Sequence, residues 1–159
     1  MAVGQYLYGP PRPVMAKFLS SSTTAFGVGE LVLQIGDTIS LMGTGTTVTN
    51  FLGVTAQKRE GGSTVGQNAR LQGNNKDYHI RVDTDGVWAF TRSDTIALSV
   101  GDPMTTDGTT ANTLAKAGDA SISIGRVAEP LGSNANGENP VVKVRIMSRK
   151  FPPGEAVTA

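Results

Sequence analysis

Thr95-Ile-Ala-Leu-Ser-Val-Gly-Asp-Pro-Met-Thr-Thr-Asp-Gly108, a small-residue segment, and Ile122-Ser-Ile-Gly-Arg-Val-Ala-Glu129 decide the fold class, together with the closing run Val141-Val-Lys-Val-Arg-Ile-Met147. In the first run Ile96, Leu98 and Val100 keep a period of two, and Gly101-Asp102-Pro103 breaks it. Proline has no backbone donor, so no central ladder is expected to run unbroken through Pro103. Asp107-Gly108 supplies the residues that a tight reversal with positive φ wants. Ile122, Ile124 and Val127 resume a strand, with Gly125 as a bulge or a point of close approach. Val142, Val144 and Ile146 alternate with Lys143, Arg145 and Met147, which predicts a half-buried strand with a basic outer face. The one stretch with helical character, residues 110–117, is too short to stand alone. These are parts of a β scaffold and not of an active site.

Composition points the same way. A chain of 159 residues has room for one domain with a real core. It carries 20 glycines, 8 prolines, no cysteine, one histidine and only 17% charged residues. Threonine, valine and glycine dominate, which favours short strands joined by turns. Without cysteine, neither disulfides nor thiolate metal sites hold the fold. No apolar run approaches the ~20 residues of a membrane span. The N-terminus has neither the basic nor the apolar region of a signal peptide, so synthesis in a cytoplasm is expected.

The net charge of +1 is unevenly spread. Residues 1–29 hold Arg12 and Lys17 and no acid, whereas residues 77–138 are acidic. Lys143, Arg145, Arg149 and Lys150 then face Glu155 alone. Basic ends around an acidic middle suit an acidic partner or contact between copies. Nucleic acid is not an expected partner, because the bases are not interleaved with aromatics as a stacking platform requires.

The N-terminal segment, residues 1–22, holds Pro10, Pro11 and Pro13 flanked by Tyr6, Leu7, Tyr8, Met15 and Phe18. Prolines push their predecessors to extended geometry, so this reads as an extended arm. Tyrosine and proline together suit a segment that lies on another surface. The arm and its linker take residues 1–28, a β-barrel-like domain residues 29–150, and a tail residues 151–159. Within the domain, residues 31–35 and 38–42 flank Gly36-Asp37, a hairpin dipeptide. Residues 46–56 are rich in β-branched side chains and interrupted by Gly53. Residues 58–75 read as a long polar loop. Residues 77–92 read as a hairpin: Tyr78, Ile80 and Val82 alternate, Asp85-Gly86 turns, and the chain returns through Trp88 and Phe90. Those two aromatics share one face, which places them in the core or in an inter-subunit contact. Residues 131–140 are nearly all turn formers.

The motifs of chemistry fail one by one. Residues 61–68 have the glycine spacing of a phosphate loop, but Gln67 and Asn68 stand where Lys and Ser/Thr belong. No nucleophile elbow is present, and a triad would have to use His79, which sits on an alternating strand. Asp83 and Asp85 lack the further ligands of a calcium loop. No two acids are singled out as a glycosidase pair. The chain therefore reads as a non-enzyme with no catalytic, cofactor or metal site.

The strand ending Phe51-Leu-Gly-Val-Thr-Ala56, then Ile96-Ala-Leu-Ser-Val-Gly-Asp-Pro-Met-Thr-Thr-Asp-Gly108, Ile124-Gly-Arg-Val-Ala-Glu129 and Val142-Lys-Val-Arg-Ile146 together resemble the head decoration, or cement, proteins of tailed bacteriophages. The resemblance spans residues 29–148 and consists of turn chemistry, not catalytic signatures. It implies a small β-barrel or tulip-like domain on the outer surface of the head, bound to the major capsid protein and bridging its copies. It implies a homo-oligomer, trimer first and dimer second, and an arm (Tyr6, Leu7, Tyr8, Pro10, Pro11, Pro13, Met15, Phe18) that anchors to the capsid. The second reading is a receptor- or carbohydrate-binding β domain of a fibre or surface protein, with Tyr78, Trp88 and Asp94 lining a sugar site.

Overall fold

The computed structural model describes residues 3–18, 25–45, 47–59 and 79–151. The linker at 20–24, nearly all of the polar stretch 58–75 with its phosphate-loop pattern, Tyr78, and the tail beyond Phe151 lie outside the described residues. Within them the fold is all-β, with one 3-10 turn at Ala120–Ile122. The strands are β1 (Gln5–Tyr8), β2 (Pro13–Lys17), β3 (Leu31–Ile35), β4 (Thr38–Leu41), β5 (Phe51–Thr55) and β6 (His79–Asp83). β7 (Val87–Arg92), β8 (Pro103–Thr106), β9 (Thr113–Lys116), β10 (Gly125–Val127) and β11 (Val141–Ile146) complete them.

Two sheets result. The first runs β1-β7-β11-β10-β8-β9, and β9 also pairs in parallel with the end of β7, so the sheet closes into a ring. The second, β2-β6-β5-β3-β4, is antiparallel throughout, and its outer strands β2 and β4 approach each other. Closing and curling hide the unpaired edges that an open sheet would expose. The expected small β-barrel-like domain is what the chain forms.

The local expectations with a complete chemical signature hold. β11 alternates strictly, and Val142, Val144 and Ile146 are fully buried. Gly36-Asp37 joins β3 to β4, with Ile35 paired to Thr38 and Gly36 at φ 60°. Gly125 is a close-approach point: a Cβ there would stand 2.4 Å from the Arg145 carbonyl oxygen. Asp107 organises the β8–β9 reversal by accepting from the backbone N–H groups of Thr109 and Thr110, each at 2.9 Å.

Three expectations are corrected. Residues 77–92 are not a hairpin: β6 pairs with β2 and β5, whereas β7 pairs with β1, β11 and β9. Asp85-Gly86 supplies positive φ, 101° at Gly86, for a corner at which the chain changes sheets. Residues 95–100 form no strand. Leu98 alone is buried, through a bridge to Leu131, while Ile96 and Val100 point outward. Ile122 resumes no strand, because it closes the 3-10 turn Ala120–Ile122 and β10 starts only at Gly125. Residues 110–117, too short to stand alone as a helix, supply β9 between β8 and β7.

The N-terminal segment is extended, as its prolines dictate, but it does not stand apart from the domain. β1 runs antiparallel to β7 in the first sheet and β2 antiparallel to β6 in the second. Between them the Pro11 carbonyl accepts from the N–H groups of Thr84 and Asp85, both at 3.0 Å. Residues 5–17 are thus one ribbon laid along β6 and β7, stitching the sheets together.

Two apolar clusters fill the domain. The larger lies within the ring and against the second sheet, with Trp88, Phe90, Phe51, Met104 and Ile146 among its members. The smaller lies in the curl of the second sheet and includes Phe18, Phe26, Leu52 and Ile80.

Candidate interaction surface

The residues named from sequence as a capsid-binding set divide cleanly in the structure. Tyr6, Tyr8 and Met15 are 42%, 47% and 60% exposed on the ribbon. Pro10 and Pro13 are exposed in its turn and at the start of β2, and Leu7 and Pro11 are half-buried. Phe18 is different. It packs on Phe26 with ring centroids 5.3 Å apart and belongs to the smaller core. It is therefore an internal anchor of the ribbon and not a contact available to a partner. Trp88 and Phe90, the candidate inter-subunit pair, are both 1% exposed and lie in the larger core.

Each exposed tyrosine is held in place. The Tyr6 ring meets Trp88 edge-on at 5.5 Å and 72°, and its hydroxyl donates to the Gly9 carbonyl. The Tyr8 hydroxyl donates to Glu129 Oε2 at 3.0 Å, and Lys143 Nζ donates to Oε1 at 3.1 Å. The Lys143 bond, then the Tyr8 bond, hold the Glu129 carboxyl below its usual range. That carboxylate in turn raises the Tyr8 hydroxyl above its own. The ribbon therefore offers its apolar side chains on a fixed backbone, which limits the ordering cost of binding.

The corner beneath the ribbon carries a clamp that sequence reasoning missed. Arg145 Nε and Nη2 donate to the two Asp85 oxygens at 2.9 and 3.0 Å, and Gly86 N–H adds a third bond at 2.7 Å. Burial pushes the Asp85 carboxyl up, but the Arg145 and Gly86 bonds outweigh it and the net shift is downward. Nearby Asp83 goes the other way. Its burial raises the carboxyl, and the Arg81 guanidinium at 3.2 Å offsets this only in part.

A second missed residue is Arg92. Its side chain is fully buried and donates to the carbonyls of Asn139, Ile96 and Gly132 at 2.9, 2.8 and 2.7 Å. Asp94 Oδ1 stands 3.3 Å away without hydrogen-bond geometry, so it serves as a counter-charge. Asp94 Oδ2 accepts from the Lys116 N–H. The signal was present in sequence: Arg92 is in phase with Trp88 and Phe90 on one strand.

The sugar-site reading named Tyr78, Trp88 and Asp94. Tyr78 lies outside the described residues, Trp88 is buried, and Asp94 is engaged by Arg92 and Lys116. His79 is half-buried on β6 opposite Lys17, with its carbonyl accepting from Arg59 Nε. Among the described residues no group of three or more His, Cys, Asp or Glu side chains is placed to hold a metal ion. None of their helices is long and apolar enough to cross a membrane.

Fold and surface together define an all-β, two-sheet domain with a rigid, partly apolar N-terminal ribbon. No protein-family model matches the chain, and no curated protein matches it in sequence.

Proposed function

We propose that this chain is a structural virion protein, a decoration or cement protein on the outer surface of a tailed-phage head. In this reading it binds the major capsid protein and stabilises contacts between neighbouring copies of it, with no reaction catalysed. The observation that carries the reading is the ribbon. It is stitched to both sheets yet leaves Tyr6, Tyr8 and Met15 between 42% and 60% exposed. Exposed Tyr and Met side chains on a strand-paired backbone offer a partner contact area at low ordering cost. Each is already about half buried, so covering the remainder is worth ~1 kcal/mol apiece, a contribution to attachment and not the whole of it. Self-association belongs to the same proposal, as a trimer or else a dimer, because many copies on one shell bind cooperatively through multivalency.

The turn motifs that resemble cement proteins support the reading independently of the ribbon. Sedimentation with expanded heads tests it. Tyr8→Ala combined with Met15→Glu is expected to leave the circular dichroism spectrum unchanged and to strip the protein from the particles. Wild-type occupancy by this double variant would move attachment to another face.

A further inference from the structure

Glycine follows an acid or its amide at Asp85-Gly86, Asp107-Gly108 and Asn136-Gly137, the last being the chain's one Asn-Gly pair. Glycine puts no side chain in the way of its own nitrogen, so each pair sets an open backbone nucleophile beside a side-chain carbonyl carbon. The fold treats the three differently. Asp85 is 1% exposed, Arg145 holds its carboxylate, and its Oδ1 already accepts from the Gly86 N–H at 2.7 Å. Asp107 Oδ1 accepts from the N–H groups of Thr109 and Thr110. Burial raises both carboxyls, these bonds outweigh it, and both sit below their ordinary range. They stay ionised at neutral pH, and a carboxylate is a poor electrophile. Asn136 carries a neutral amide, is exposed, and makes no side-chain hydrogen bond among the described residues. Its backbone N–H donates to Glu138 Oε2 at 2.7 Å. Gly137 has φ 74°, and a Cβ there would meet nothing within 4 Å. Its N–H donates to the Asn134 carbonyl at 3.1 Å, a turn bond on an exposed loop that water replaces at little cost. The neighbouring amides are braced: Asn134 Oδ1 accepts from the Asn139 N–H and Asn139 Nδ2 donates to the Ser133 carbonyl, both at 2.8 Å. Asn139 is also followed by Pro140, which has no N–H to attack with.

We propose that Asn136 is a site of spontaneous deamidation that ages the loop bound to Arg92. The Gly137 nitrogen gives its proton to hydroxide and bonds to Asn136 Cγ. The Cγ–Nδ2 bond breaks and ammonia leaves, which closes a succinimide ring. Water then opens the ring at one carbonyl or the other, giving aspartate or isoaspartate, and nothing is oxidised or reduced. Either product adds a negative charge beside Glu138, and isoaspartate also adds a methylene to the backbone. The same loop presents the carbonyls of Gly132 and Asn139 to the buried Arg92 guanidinium at 2.7 and 2.9 Å. Residue 136 lies between those two acceptors, so a longer backbone there disturbs the bonds that replace the cation's hydration. The inference does not rest on the virion reading.

Trypsin releases residues 127–143 as one peptide that holds Asn134, Asn136 and Asn139 together. The whole protein is incubated at mildly acid and mildly alkaline pH, digested and sequenced by mass spectrometry. The exchange of NH for O is expected at residue 136 alone, at a rate first order in hydroxide, and an isoaspartyl-specific methyltransferase is expected to label the product. Aged protein is expected to unfold at a lower urea midpoint than fresh protein. Asn136→Gln, at an exposed side chain, is expected to keep both its mass and its midpoint through the same incubation. In urea at mildly acid pH, Asp85-Gly86 and Asp107-Gly108 lose their protecting bonds and are expected to isomerise, which the native fold prevents. No conversion at residue 136 in the native protein, equal conversion at Asn134, or native isomerisation at Asp85 or Asp107 as fast as in urea overturns the proposal. A midpoint unmoved by conversion overturns the ageing of the loop.

Discussion

Arg92 leaves water entirely, and its guanidinium replaces hydration with three loop carbonyls and the charge of Asp94. Removing a buried, fully bonded cation leaves all of those acceptors unpaired. Arg92→Met should cost about 3–5 kcal/mol, seen as a lower urea midpoint with an unchanged slope. A loss under about 1 kcal/mol would mean that the loops hold themselves. Asp85 gives the domain an acid dependence. Its folded carboxyl sits below the ordinary range, so the stabilisation is complete above about pH 4 and is lost as pH falls through the lowered value. Asp83, raised by burial, has the opposite sign, and acidification relieves its strain. Asp85→Asn should therefore be less stable by roughly 1.5–3 kcal/mol at neutral pH, with the gap to wild type closing below about pH 4. A gap that stays constant on acidification would deny the clamp its role. His79→Ala, by contrast, should change stability by no more than about 0.5 kcal/mol.

Among the elements, the N-terminal ribbon departs furthest from its reading in sequence. It supplies an outer strand to each sheet and sends Phe18 into the smaller core. Deletion of residues 1–17 is accordingly expected to abolish cooperative urea unfolding. A truncated protein that stays soluble and unfolds cooperatively would restore the independent arm. Elements whose signal is complete within a few residues were legible: the alternation of β11, the Gly36-Asp37 hairpin, the Asp107 turn and the tight spot at Gly125. What was not legible depends on distant partners. Asp85-Gly86 supplies positive φ for a hairpin or for a corner between sheets, and only the partners of β6 and β7 decide which. Residues 95–100 have the strand period, yet their backbone bonds go to single loop positions, as between Leu98 and Leu131. Residues 110–117 have helical composition, but two neighbouring strands capture them.

At the scale of the whole molecule, the described residues form two apolar clusters and one closed ring, with Tyr6, Tyr8 and Met15 left exposed on the ribbon. The candidate site was legible in part. Met15 is exposed because β2 alternates and turns Val14, Ala16 and Phe18 to the inner face, whereas the pairing of β1 with β7 that leaves Tyr6 and Tyr8 outward depends on a partner distant in sequence. Trp88 and Phe90 were placed on one face correctly, and closure of the ring turned that face inward. Decoration of a capsid by this domain is tested by its copy number on purified virions. The expected stoichiometry is near that of the shell protein, lost when Tyr8 and Met15 are replaced. Absence from intact heads, or a few copies confined to the tail, would contradict it.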